Sequence, residues 1–148
     1  MKKKLLKLLM NVMLCTVLIF SIPNMTYAET VDASYPEWRP DAPVPERPHL
    51  TKSAGVFQGP SGKETYYNLP MGRCINIMRD MGYSVEEYPY WVREDGAKML
   101  GNYVMCAANL SIRPKGTIVE SSLGQAIVVD TGGFASSNTT QLDLCTDW

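Results

Sequence analysis

Ile127-Val128-Val129-Asp130-Thr131-Gly132-Gly133 constrains the fold of this chain more than any other stretch. Consecutive β-branched residues favour an extended strand, and the paired glycines permit a tight turn directly behind it. Asp130 is thereby delivered at a strand end, beside apolar walls. A second short run, Leu142-Asp143-Leu144-Cys145, alternates. Leu142 and Leu144 should face one way, Asp143 and Cys145 the other. Two carboxylates on a strand frame suffice for general acid/base chemistry, and equally for an ordinary turn and a solvated strand. If the two strands are neighbours, partial burial and like charge should raise one carboxyl pKa.

The residues around these strands predict a small, mainly β protein with one or two helices. Tyr103 to Ala108, Thr117 to Ser121, Gln125 to Asp130 and Gln141 to Thr146 read as strands, separated by Pro114-Lys115-Gly116, Leu123-Gly124 and Gly132-Gly133. Short strands with glycine-rich turns point to a small barrel. Upstream, Gly59-Pro60-Ser61-Gly62 marks a turn, followed by Thr65-Tyr66-Tyr67 in strand-favouring residues. Asn68 is placed to cap a helix carrying Pro70 in its first turn, with Met71, Cys74, Ile75 and Met78 at helical spacing and Gly82 at its end. That methionine stripe reads as core. Residues 83–101 show no clean period. Their Tyr83, Tyr88, Tyr90 and Trp91 could stack on sugar, but rings covering a small core is the favoured reading.

Residues 1–28 read as a secretory signal peptide: Lys2, Lys3, Lys4 and Lys7, a mostly apolar stretch from Leu8 to Ile22, then Thr26-Tyr27-Ala28 as the cleavage site. The apolar stretch is shorter than the ~20 residues that span a bilayer, so stable membrane insertion after cleavage is not expected. Residues 29–52, with Pro36, Pro40, Pro43, Pro45 and Pro48, read as a tether. The globular part is then 53–148.

Four of the chain's 14 basic residues and none of its 15 acidic ones lie in the first 28 positions, so the remainder carries ten basic against 15 acidic side chains, a net of −5. A negative chain without a basic run disfavours nucleic acid and anionic membrane as partners. Of four cysteines, Cys15 goes with the signal, and the odd number left excludes a fully paired framework. Their spacing matches no metal motif, and no cofactor is expected. His49, the only histidine, sits in the proline-rich stretch. Histidine-dependent nucleophilic catalysis is therefore disfavoured.

Ala107-Ala108-Asn109-Leu110-Ser111-Ile112-Arg113-Pro114-Lys115-Gly116-Thr117, then Val129-Asp130-Thr131-Gly132-Gly133, then Gln141-Leu142-Asp143-Leu144, together resemble the 3D domain. That family is named for three aspartates on a double-psi β-barrel and occurs in secreted bacterial cell-wall enzymes. The barrel is shared with the lytic transglycosylase A type. The resemblance implies a six-stranded double-psi barrel, completed from residues 53–68 or left partly open, because the chain stops at Trp148 where family members continue. It places the second and third aspartates on Asp130 and Asp143, and the first on Asn109, an amide in place of a carboxylate. The loop between Asp130 and Asp143 is also slightly longer, with Phe134-Ala135-Ser136-Ser137-Asn138 replacing the family's stretch.

The activity implied is cleavage of the β-1,4 bond between N-acetylmuramic acid and N-acetylglucosamine in peptidoglycan, outside the cell or at its wall, with a 1,6-anhydro product. Asp143 would be the acid/base, Asp130 and Asn109 its support, and Thr131, Gly132 and Gly133 would bind sugar groups. A non-catalytic glycan-binding module on the same barrel is the alternative. Asp130-Thr131-Gly132 also matches an aspartic-protease turn, but no second copy exists and little chain follows it. A surface protein using the aromatics of 83–101 on a protein partner is a third possibility.

Overall fold

The Pro60–Ser61 turn folds β1 (Phe57–Gly59) back on β2 (Gly62–Tyr67) as an antiparallel hairpin, in the computed structural model that describes residues 43–148. The signal-peptide reading, Cys15, and residues 29–42 of the tether lie outside the described residues. Gly62 makes the turn possible. Its φ is +138°, and a Cβ there would stand 2.5 Å from the Thr140 carbonyl oxygen.

Helix α1 (Gly72–Asp80) follows. Met71 is its N-cap residue, with no side-chain cap, so Asn68 does not play the capping part its position suggests. Asn68 instead accepts a 2.6 Å hydrogen bond from the buried Lys98 ammonium, and that competing partner draws it away. The C-terminus ends as predicted: Gly82 takes φ +99° and the Tyr83 amide returns to the Met78 carbonyl.

The irregular Tyr-rich stretch contains two short strands that lack readable periodicity, β3 (Tyr90–Val92) and β4 (Lys98–Leu100), hairpinned through Gly96. Then come β5 (Tyr103–Ala107), β6 (Ile118–Ser121), β7 (Gly124–Asp130), a 3-10 turn (Gly133–Ser136) and β8 (Leu142–Cys145). The described residues are thus mainly β with one α-helix. Their single mixed sheet has eight strands rather than six; β1, β3 and β4 lie outside the runs that read as strands in the sequence.

Strand order is β1-β2-β8-β5-β4-β3, with β7 on the other side of β5 and β6 beyond it. β5 lies parallel to β7, β2 parallel to β8, and β8 antiparallel to the end of β5. The strand beside β8 therefore comes from residues 62–67, within the region expected to complete the sheet.

Strand alternation divides the apolar side chains between two clusters. Val104, Cys106, Ala126, Val128, Leu142 and Leu144 form one, with Leu50 and Leu123. Met105, Ile127, Val129 and Cys145 form the other, with Met71 and Met78 of α1. The methionine stripe is core, as its spacing indicates. Of the aromatics of 83–101, Tyr83 and Tyr88 cover that second cluster, Trp91 packs on the first and Tyr90 is exposed; Tyr83 meets Tyr88 edge-on at 4.9 Å, and Tyr88 stacks on Tyr103 at 6.4 Å.

Leu50 is fully buried, although it falls in the stretch that composition marks as tether. Its amide donates to Ser122 Oγ at 2.9 Å, and Arg47 donates to the Ser121 carbonyl at 3.0 Å. The packed domain thus begins ahead of residue 53. Leu50→Ala should cost about 2–5 kcal/mol of unfolding free energy in a urea titration. A change within 0.5 kcal/mol would mean that the segment merely rests on the surface.

Candidate functional site

One extra residue in β7 decides where Asp130 points. Along the β5–β7 pair, Cys106 opposes Val128 while Ala107 opposes Asp130, leaving Val129 as a bulge. Unbroken alternation would send Asp130 to the Val128 face and into the first cluster. The inserted residue returns it to the Ala107 face, where Val129 already lies in the second cluster. Asp143 reaches the same face by simple alternation, between Leu142 and Leu144 of the first cluster.

The registers then align a row across four strands: Thr65 on β2, Asp143 on β8, Ala107 on β5 and Asp130 on β7. Neighbouring strands are about 4.8 Å apart, so the two aspartate α-carbons stand roughly 10 Å from each other with only an alanine methyl between. Both are half-buried. The row lies where β5 and β7 end and β8 begins, with Thr65 midway along β2, so the loops 108–117 and 131–141 adjoin it.

The two carboxylates have different surroundings. Asp143 accepts a 2.6 Å hydrogen bond from the Thr65 hydroxyl, which accepts one of 3.1 Å from the Gln141 amide. Burial raises the Asp143 pKa above the usual carboxylate value, against the lowering effect of Thr65. Burial, rather than the like charge the sequence suggests, supplies the lift.

Asp130 Oδ2 accepts from the Tyr67 hydroxyl at 3.5 Å. Burial pushes the Tyr67 phenol far up, and the neighbouring Cys145 and Asp130 add to it. Cys74 on α1 is raised too, by burial and then by Asp130. Burial pushes Cys106 up to about 12 and Cys145 well above the thiol range. The three cysteines among the described residues are free thiols, and none of them is poised as a nucleophile.

Asn109 spends its side chain on the backbone. Nδ2 donates to the Ala135 carbonyl at 2.8 Å, and Oδ1 accepts from the Ser111 amide at 2.9 Å. It staples the loop after β5 to the 3-10 turn rather than reaching Asp143. An aspartate here would set its carboxylate against the Ala135 carbonyl instead of donating to it. Arg113 ties the same end together, donating to the Thr140 carbonyl at 3.0 Å and the Ser61 carbonyl at 2.9 Å. The Lys115 ammonium donates to the Val129 carbonyl, beside the bulge.

An open cleft of about 370 Å³ lies at this end, lined by Asn109, Ser111, Thr131, Gly132, Gly133 and Ser136 among others. Asn109, expected to support Asp143 or bind substrate, thus lies with Thr131, Gly132 and Gly133 around this cleft. The lining offers hydroxyls, an amide and backbone, with no ionisable side chain. Asp130 adjoins it in sequence through Thr131; neither Asp130 nor Asp143 lines it.

Sequence reasoning missed Thr65, Tyr67 and Gln141. Thr65 and Tyr67 share strand parity, but only the β2–β8 register brings them to the aspartates. Among the described residues, no group of three or more His, Cys, Asp or Glu side chains could hold a metal, and no helix is long and apolar enough to cross a membrane. No family profile, curated protein or solved structure matches this chain.

Proposed function

We propose that this chain is a secreted, peptidoglycan-cleaving lytic transglycosylase of the 3D type, built on a double-psi β-barrel. The row Thr65–Asp143–Ala107–Asp130 carries the reading, because it sets two carboxylates of unequal environment on one face at the loop end of the sheet. Two parallel pairs, β5–β7 and β2–β8, joined by an antiparallel contact, support the barrel assignment. The lysine-led apolar start of the sequence supports export.

In the reaction, protonated Asp143 gives its proton to the glycosidic oxygen as the bond to muramyl C1 breaks. The resulting carboxylate then takes the proton of the muramyl C6 hydroxyl while that oxygen bonds to C1. The acid is regenerated, and the product is a 1,6-anhydro sugar. No water enters, so a single acid/base suffices where hydrolysis uses two carboxyl groups. A carboxyl held upward by burial suits the first step. Asp130, held by Tyr67, supports the cationic transition state, and the neutral cleft suits acetamido and hydroxyl groups of a glycan strand.

A non-catalytic glycan-binding module is the second reading. It is favoured by the Asn109 side chain being wholly engaged with backbone.

Incubation of the purified protein with sacculi in ¹⁸O-water separates the two. Soluble anhydro-muropeptides without ¹⁸O are expected from the lytic reaction. Products carrying ¹⁸O would mean hydrolysis, and saturable co-sedimentation without products would mean the module.

A further inference from the structure

We infer that Thr65 and Gln141 are positioning residues that fix which oxygen of Asp143 carries the transferable proton. This rests on the assignment of Asp143 as acid/base.

The observations form a directed chain. Gln141 Nε2 donates to Thr65 Oγ1 at 3.1 Å, and Thr65 Oγ1 donates to Asp143 Oδ1 at 2.6 Å. An amide nitrogen can only donate, so it occupies a hydroxyl lone pair and directs the hydroxyl hydrogen toward the carboxylate. The 2.6 Å separation lies in the range of a hydroxyl bonded to an ionised acceptor. Gln141 is buried at the threshold of β8, and Thr65 lies directly opposite Asp143 in the β2–β8 register. The amide therefore approaches from a fixed direction.

Holding strands together does not require this arrangement. β2 and β8 already pair along four consecutive positions, from Glu64–Leu142 to Tyr67–Cys145. The hydroxyl adds control of one carboxylate oxygen. When Asp143 is neutral, Oδ1 remains the carbonyl-type acceptor of Thr65, and the proton resides on Oδ2. When Asp143 is ionised, the same hydroxyl stabilises the negative charge. Both halves of the reaction then pass through Oδ2, and the group need not reorient between giving a proton and taking one back.

Valine at 65 keeps the branched shape and loses the hydroxyl; serine keeps the hydroxyl. A ¹³C-aspartate-labelled full-length protein is titrated by NMR, with Asp143→Asn identifying the Asp143 carboxyl signal. Thr65→Val should raise the Asp143 midpoint by about one pH unit, a tenfold tighter proton. Thr65→Ser should restore it, and Gln141→Leu should shift it the same way by less. On sacculi, Thr65→Val should lower kcat about tenfold and move its alkaline limb upward, with KM unchanged and serine rescuing both.

An Asp143 midpoint that stays put in Thr65→Val, or that serine fails to restore, overturns the inference. Should Thr65→Val fold poorly, Gln141→Leu alone decides, with an unmoved midpoint counting against. Wild type that makes no anhydro product while the titration behaves as expected would sink the lytic reading and leave the hydrogen-bond relay standing.

Discussion

Asp143→Asn should lower the rate of anhydro-muropeptide release about a thousandfold, within the range that a positioned general acid/base supplies. Asparagine keeps the volume and still offers an oxygen to Thr65, but it has no proton of suitable acidity to give. Binding to sacculi should persist, because the cleft lined by Thr131, Gly132 and Gly133 is untouched. Stability should hold or rise at neutral pH, since the variant no longer buries a carboxylate whose pKa burial has raised. Lost turnover with retained binding and an undiminished melting temperature is a combination that misfolding cannot produce. Asp130→Asn should cost far less, about tenfold, because Asp130 supports without transferring a proton. Equal losses at the two positions would contradict the division of roles.

Glu64→Ala should be strongly destabilising, at about 3–4 kcal/mol from two orphaned partners and the cavity left behind. Glu64 is fully buried on β2, yet its carboxylate is well supplied. Oε1 accepts from the Ser122 amide at 2.9 Å, Oε2 accepts from the Ser122 hydroxyl, and that hydroxyl accepts from the Leu50 amide. The carboxyl also lies against Gly59, where a Cβ would fall 1.8 Å from Oε1. One side chain thus joins the first hairpin, the β6–β7 turn and the segment carrying Arg47 and Leu50. Against a total of about 5–15 kcal/mol, the loss is large. A urea midpoint should report it.

The same residue gives a pH dependence. Burial raises the Glu64 pKa, with the Ser122 hydrogen bonds and Arg47 opposing it. The folded state therefore holds a proton that the unfolded chain releases near pH 4.3. Stability should be greatest below that value, decline as pH rises through the raised folded pKa, and level off above it. Asp143 contributes with the same sign. At Asp95 burial is outweighed by Arg93 and the Ala97 amide, so its pKa is lowered and its contribution is lost only on acidification below this window. Glu64→Gln cannot titrate. It should flatten the pH–stability curve above the ordinary glutamate range, gaining on wild type as pH rises. Parallel curves would show that Glu64 is not the source.

Much of this was legible because some residues can satisfy their physics in only one way. Leu142 and Leu144 must face a core if Asp143 is to reach water, and β8 obeys. Met71, Cys74, Ile75 and Met78 make a stripe that only a helix can bury. Thr65 was illegible as a partner of Asp143, since a β-prone run carries no record of which strand it will pair with. β3 and β4 were hidden for another reason. Each is three residues long, too short for alternation, and β4 buries Lys98, whose ammonium is satisfied by Asn68 and the Leu69 carbonyl. Leu50 lay concealed among prolines. The stapling use of the Asn109 amide depends on where the Ala135 carbonyl ends up, which is a tertiary fact.

The bulge at Val129 makes the number of paired steps between Ala126 and Asp130, rather than the number of residues, part of the chemistry. Were every residue between them paired with β5 one for one, the Asp-Thr-Gly-Gly turn would keep every letter and its aspartate would point into hydrocarbon. The stretch ahead of the turn thus behaves like a reading frame, tolerant of which apolar residue fills it but requiring that one residue stay unpaired. The loop at 131–141, anchored at both ends, is where length can drift.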